Sequence, residues 1–202
     1  MKNKKGSVFI TIGLLLIAAA LLLAGYNLWD EHRAEQSVNA VMKQINLPQE
    51  NPQLPDYLID PNIEMPTENI DGWDYIGVLE IPAFDLTLPV ISRWSNAALK
   101  VAPARYEGSA YTDDLIIAAH NYKTHFDNLQ YLVAGDEVYF TDIDGNRFSY
   151  EVVMTEILKP TDVEQMSAGD WDLTLFTCNY GGSYRVMVRC DRTEYIVYDT
   201  MK

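Results

Sequence analysis

Three side chains capable of peptide chemistry stand at the boundaries of apolar runs in this chain: a thiol, a guanidinium and an imidazole. Residues 173–189 read L-T-L-F-T-C-N-Y-G-G-S-Y-R-V-M-V-R. The first run ends at Cys178, turn-type residues follow, and a second alternating run opens at Arg185, which is the signature of a β-hairpin. In that register residues whose numbers sum to 363 oppose each other, so Cys178 faces Arg185, Thr174 faces Arg189 and Leu173 faces Cys190. Most cysteines are small buried hydrophobes, but a neighbouring cation favours the thiolate, the nucleophilic form. His120 closes the run L-I-I-A-A over 115–119, and a neutral imidazole near a thiol can manage its proton. Attack on a carbonyl builds an oxyanion, which the same Arg185 guanidinium could stabilise.

Each residue taken alone has a commoner reading. His120 alone is more often a satisfied edge or core histidine, Cys178 a buried filler and Arg185 a surface charge. Arg189 shares the strand face of Arg185 but lies ~13 Å further along at ~3.4 Å per residue, which makes it the weaker candidate. Cys190 lies ~17 Å along the strand from Cys178, beyond the Cα separation of about 7 Å that a disulfide needs. Both thiols are therefore expected to be free, with Cys190 structural. His125, in the polar loop H-N-Y-K-T-H, is expected to be solvated. No metal cage is visible: His120 and His125 are at i, i+5, and neither Cys-x-x-Cys nor His-Glu-x-x-His occurs. Asp113-Asp114 and Asp142/Asp144 read as turn residues, a weak calcium site being the alternative, and no cofactor is expected. Gly181 and Gly182 lie between strands rather than before a helix, so they are turn glycines and not a phosphate loop.

The elements that must position these groups follow from the rest of the chain. Its 202 residues carry a net charge of −14, which provides no basic field for nucleic acid. Two cysteines are too few for a disulfide framework. After a tail at 1–6 with Lys2, Lys4 and Lys5, residues 7–29 run 23 positions without a charge, enough to cross a bilayer. The lysines, set against Asp30 and Glu31 beyond the span, favour an N-terminus inside and the remainder outside. The length favours an uncleaved anchor over a signal peptide, whose apolar core would be shorter. Residues 30–68 divide into a short amphipathic helix, with Ala34, Val38, Val41, Met42 and Ile45 on one face, and a stretch over 47–68 holding five of the nine prolines. They read as a stalk and a semi-rigid linker that holds the domain off the bilayer or wraps it. From residue 69 to 202 short apolar runs alternate with turn signals: 75–81, 86–91, 115–119, 138–141, 147–158, the hairpin and 195–200. That pattern predicts an all-β barrel or sandwich of about eight strands with short helices near 95–101, 126–132 and 161–164.

Four of these segments together resemble the sortases, the cysteine transpeptidases of Gram-positive bacteria. Thr174-Leu175-Phe176-Thr177-Cys178 resembles their T-L-x-T-C motif, and Tyr184-Arg185-Val186-Met187-Val188 the strand that carries their arginine. Ile117-Ala118-Ala119-His120-Asn121 is similar to their histidine strand end, with Ala119 where glycine is common. Gly77-Val78-Leu79-Glu80-Ile81-Pro82 resembles their opening G-x-L-x-I-P. The resemblance implies a closed β-barrel at 69–202. It implies a Cys178 thioester formed on the Thr of a Leu-Pro-x-Thr-Gly-like sorting signal, with His120 as proton carrier and Arg185, Thr177 and Asn121 in the substrate site. The implied partners are secreted proteins bearing that signal and an amine acceptor such as a peptidoglycan precursor, met on the outer face of the cytoplasmic membrane. The lack of an apolar C-terminal segment and of an Asp-Pro-aromatic lid argues against the pilin-polymerising class C. Rival readings are a hydrolytic peptidase of the same kind and a non-catalytic, membrane-tethered peptide-binding barrel. Leu47-Pro48-Gln49-Glu50-Asn51 loosely resembles a sorting signal, so an autoinhibitory linker stands against the favoured ordinary spacer.

Overall fold

The computed structural model describes residues 4–48, 55–166, 169–178 and 182–193. Nine strands occur among them: β1 (Glu68–Ile70), β2 (Trp73–Ile81), β3 (Leu86–Ile91), β4 (Ala104–Glu107), β5 (Leu115–Ala118), β6 (Glu137–Asp142), β7 (Arg147–Leu158), β8 (Leu173–Cys178) and β9 (Arg185–Arg192). They pair in the order β1-β2-β3-β4-β5-β8-β9-β7-β6, and β6 returns to β2. Eight strands, β2 to β9, thereby close a barrel, and β1 adds to the rim of β2. The closing seam needs Gly77, because a Cβ there would sit 2.1 Å from the Thr141 carbonyl oxygen. That explains why the Gly77–Pro82 motif opens on glycine.

The signature hairpin has the expected register, with Cys178 opposite Arg185, Thr174 opposite Arg189 and Leu173 opposite Cys190. β5 and β8 run parallel as neighbours in the barrel, and their near-continuous apolar sequences are buried along almost their whole length. β7 alternates in its first half, burying Phe148, Tyr150 and Val152, and then runs out past a bulge at Val152/Met154 with Ile157 exposed. Its end, Leu158, meets Arg185, so the outer half of β7 borders the hairpin tip.

The N-terminal segment is one helix, α1 (Lys4–Met42), long and apolar enough to cross a membrane in its first part. Its last part is docked rather than free. Ala34, Val38 and Val41, one stripe at helical spacing, are buried against the barrel, with Met42 and Ile45 packed beside them. The Pro-rich stretch wraps rather than spaces. Its 3-10 turn Asp56–Leu58 lays Tyr57 on Tyr111 with ring centroids 4.5 Å apart, and Met65 is buried. The Pro48 carbonyl lies against Gly145 in the β6–β7 turn, at the end of the barrel opposite Cys178.

The other short helices are 3-10 turns at Pro82–Phe84, Ala98–Lys100 and Asp127–Tyr131 and a four-residue α2 (Val163–Met166). Ala97 rather than Ser95 occupies the N-cap of the turn at Ala98–Lys100, though the Ser95 hydroxyl accepts the Ala98 N–H at 3.0 Å. β1 and β4 were not expected: A-R-Y-E and E-N-I are too short to show an alternation. The strand expected at 195–200, residues 179–181 of the hairpin turn and most of the sorting-signal look-alike at 47–51 lie outside the described residues.

Candidate active site

Two pairings assemble the site. β5 and β8 are in parallel register with Ile116 beside Thr174 and Ala118 beside Phe176. Continued for two residues, that register sets His120 level with Cys178. Two bonds hold the extension in place: the Ala119 N–H donates to the Phe176 carbonyl at 3.1 Å, and the Thr177 hydroxyl donates to the Ala119 carbonyl at 2.9 Å. The antiparallel pairing of β8 with β9 then adds Arg185 on the other side of Cys178. The three side chains therefore stand in a row at the ends of three neighbouring strands. Ala119 takes an ordinary backbone conformation, since the non-glycine residues with positive φ among those described are Asp71, Asp85 and Asp113.

The two arginines of β9 differ sharply. Arg189 is 2% exposed; its Nε donates to Glu156 at 2.8 Å, one Nη to the Thr174 hydroxyl at 3.0 Å and the other to the Gln165 carbonyl at 2.6 Å. It ties β8, β7 and α2 together. Arg185 is half-buried and makes one long contact, 3.5 Å to the Tyr184 carbonyl, and no carboxylate pairs with it among the described residues. No other side-chain hydrogen bond of Arg185 occurs among the described residues. Cys178 is a free, half-buried thiol, whereas Cys190 is free but buried, and burial pushes its thiol well above the ordinary range.

His120 is half-buried, and burial holds its pKa below the ordinary histidine value, opposed by the Asp30 carboxylate and assisted by Lys100. Its ring lies 5.0 Å from that of Tyr122, which lies 5.3 Å from His125. The expectation of a solvated His125 is corrected: it is 1% exposed, and neither ring nitrogen has a partner among the described residues. The loop folds inward because Phe126 and Leu129 join the core, while the His125 N–H donates to the Tyr122 carbonyl at 2.9 Å and the Phe126 N–H to the His120 carbonyl at 3.2 Å. Burial drives the His125 pKa down to about 3. Asn121 is half-buried in the same loop. Thr177, expected to shape the substrate site, is 3% exposed and spends its hydroxyl on joining the two strand ends.

An aromatic tier that no sequence pattern marks leads away from the thiol. Phe176 shares the strand face of Cys178 and meets Tyr106 edge-on at 5.3 Å, which meets Trp94 at 5.8 Å. It forms an apolar tier beside the Cys178 thiol.

The sortase domain family model matches residues 79–193, more than half of the chain and all three side chains of the row. The chain belongs to the sortase family. Sortase A of Bacillus anthracis is 25% identical over 205 residues, covering 96% of this chain and 94% of that one. Sortase D of Bacillus subtilis (strain 168) is 25% identical over 195 residues, covering 93% and 96%. Among solved structures, sortase C1 from Streptococcus suis superposes with a TM-score of 0.52 at 27% identity over 62% of this chain and 76% of that one. Sortase A from Corynebacterium diphtheriae, at 22% identity, shares the fold with a TM-score of 0.55 over 84% and 85%. These designations, A, D and C, do not single out one subclass. Family membership makes this sortase an enzyme with a transpeptidase role in cell-wall sorting, and its N-terminal apolar helix fits a membrane anchor.

Of the acidic pairs of this sortase, Asp113, Asp114 and Asp142 have partners within the fold. Asp142 is fully buried and accepts the Tyr111 hydroxyl at 2.7 Å and the Asn146 N–H at 2.8 Å. Asp113 pairs with Arg192 at 2.8 Å, and Asp114 accepts the Ser109 N–H at 2.8 Å.

Proposed function

We propose that this sortase cleaves a Leu-Pro-x-Thr-Gly-like sorting signal and transfers the protein bearing it to an amine. The observation that carries the reading is the row His120, Cys178, Arg185, brought level by the β5–β8 and β8–β9 registers. The Cys178 thiolate attacks the Thr carbonyl carbon, and the negative charge that develops on the oxygen is met by the Arg185 guanidinium. The C–N bond to the following residue breaks as His120 gives its proton to the leaving amine, and a thioester remains. An incoming amine loses a proton to His120 and attacks the thioester, and the thiolate departs. The chemistry uses side chains alone. The acceptor is an amine of a peptidoglycan precursor or of another protein. The lysines before the span favour an arrangement with the barrel on the outer face of the membrane.

Incubating the full chain in detergent with a small library of sorting peptides, followed by intact-mass measurement, tests the reading. A covalent adduct of the acyl fragment is expected on the native protein and not on Cys178→Ala. No adduct across the library, or an adduct retained by Cys178→Ala, overturns it. Adding amines then separates transfer from hydrolysis by the product released.

A further inference from the structure

The first turn of α1 beyond its apolar span reaches the loop that carries His120. The Tyr122 hydroxyl donates to the Asp30 carboxylate, and the Lys123 N–H donates to the Glu31 carboxylate at 3.0 Å, each contact joining residues 92 positions apart. Arg33 holds the other oxygen of Asp30 at 2.7 Å. Asp30 thus bridges helix and loop, and its partners hold its carboxyl below the ordinary range although burial acts the other way.

What Tyr122 does from there depends on its ring. It lies between His120 at 5.0 Å and the buried His125 at 5.3 Å. His120 itself stands two residues beyond the last paired residue of β5. Thr177 secures the backbone just before it, and among the described residues no hydrogen bond holds the imidazole itself. The Tyr122 ring, fixed at its hydroxyl end by Asp30 and backed by His125, supplies that constraint.

We propose that Asp30, acting through the Tyr122 hydroxyl, is a positioning residue for the catalytic His120, so that the juxtamembrane turn of α1 belongs to the active site. The inference rests on the proposed role of His120. The charges that act on that imidazole are Asp30 from α1 and Lys100 from the turn after β3; Cys178 on β8 and Arg185 on β9 stand level with it, Tyr122 and His125 lie in its own loop, and Glu31 accepts the Lys123 N–H of that loop. Among the described residues Asp30 is the carboxylate whose charge acts on the ring. It therefore both orients the ring and favours its protonated form, against burial and Lys100.

The test uses the full chain in lipid nanodiscs, with kcat, KM, the pH–rate profile and the His120 Cε1 titration by NMR for Asp30→Asn, Tyr122→Phe and the double variant. Asp30→Asn is expected to lower kcat about tenfold or more with KM within about twofold, because a misplaced proton carrier costs turnover rather than binding. It also moves the His120 midpoint down. Tyr122→Phe keeps the charge and loses the tie, so kcat falls with a smaller midpoint shift, and the double variant is no worse than Asp30→Asn. Asp30→Glu restores part of the rate. Unchanged kcat and midpoint in both single variants overturn the inference, as does a loss of kcat with the His120 midpoint unmoved in Asp30→Asn. His120→Ala and Cys178→Ala run alongside. If these two still turn over, the proposed function fails; if they are inactive while Asp30→Asn and Tyr122→Phe match the native enzyme, the positioning role alone fails.

Discussion

Arg185 and Arg189 lie on one strand face, yet one is free to act and the other is built into the frame. Removing Arg189 leaves Glu156 and Thr174 without their donor, so Arg189→Ala should cost about 3 kcal/mol in urea unfolding. Arg185→Ala should change stability by less than about 1 kcal/mol and lower kcat about 10²-fold. Comparing unfolding and turnover for both variants checks the assignment, and it fails if Arg189→Ala, at a temperature where it is folded, is the more damaging to turnover. His120, the proposed proton carrier, has its own sign. Burial depresses its pKa and Lys100 adds to that, so Lys100→Gln should raise the His120 midpoint toward the ordinary histidine value of ~6.5, read by Cε1 chemical shift. The imidazolium then persists to higher pH, and that limb of the pH–rate profile moves up with it. At this scale the cysteine and arginine were legible because a hairpin register is local arithmetic. The burial of His125 and the part played by Tyr122 were not, since H-N-Y-K-T-H has the composition of a solvated loop and its direction is set by Phe126 and Leu129 entering a core formed elsewhere.

Strand pairing shows where such local arithmetic stops. The 58 residues between His120 and Cys178 are the offset of β5 against β8, as in Ala118 beside Phe176. Nothing in either strand states that offset, because a parallel pair is joined through a long crossover rather than a turn. β4 escaped notice for a related reason: A-R-Y-E pairs through its neighbours, not through its own pattern. Thr177 locks the offset. Thr177→Val should lower stability by about 1–2 kcal/mol by leaving the Ala119 carbonyl unpaired, and lower kcat more than it raises KM, with Thr177→Ser restoring both. A change confined to KM would give Thr177 to substrate instead. The loop after β5 carries a stability effect as well. In the fold His125 stays neutral down to about pH 3, whereas an unfolded histidine binds its proton near pH 6.5. The unfolded chain therefore holds more protons between those values, and stability declines as pH drops through that window. His125→Leu should reduce the stability difference between pH 7.5 and pH 5 by about 1–2 kcal/mol, measured by urea unfolding at the two values.

Across the whole molecule, the composition changes near residue 69, where the strands begin, and the uncharged run lies in the apolar first part of α1. Neither showed that the segments between them are part of the packed body, since the stripe Ala34, Val38, Val41 and the lone Tyr57 become informative only against the surface they cover. Tyr57→Ala should cost about 3 kcal/mol and leave turnover of the folded enzyme unchanged, whereas a rise in turnover on loss of this wrap would support an autoinhibitory linker. α1 descends from Asp30 at the His120 loop to Gln44, whose side chain donates to Asp71 at the opposite end of the barrel. With the apolar part of α1 in a bilayer, as proposed, the strand ends bearing His120, Cys178 and Arg185 would point toward it and the β6–β7 turn away from it. That orientation would set how the enzyme searches for its substrates. A donor or acceptor sharing the membrane would reach the thiol by lateral diffusion in a thin layer at the lipid surface, so its encounter rate would follow surface density and be insensitive to the volume of fluid above.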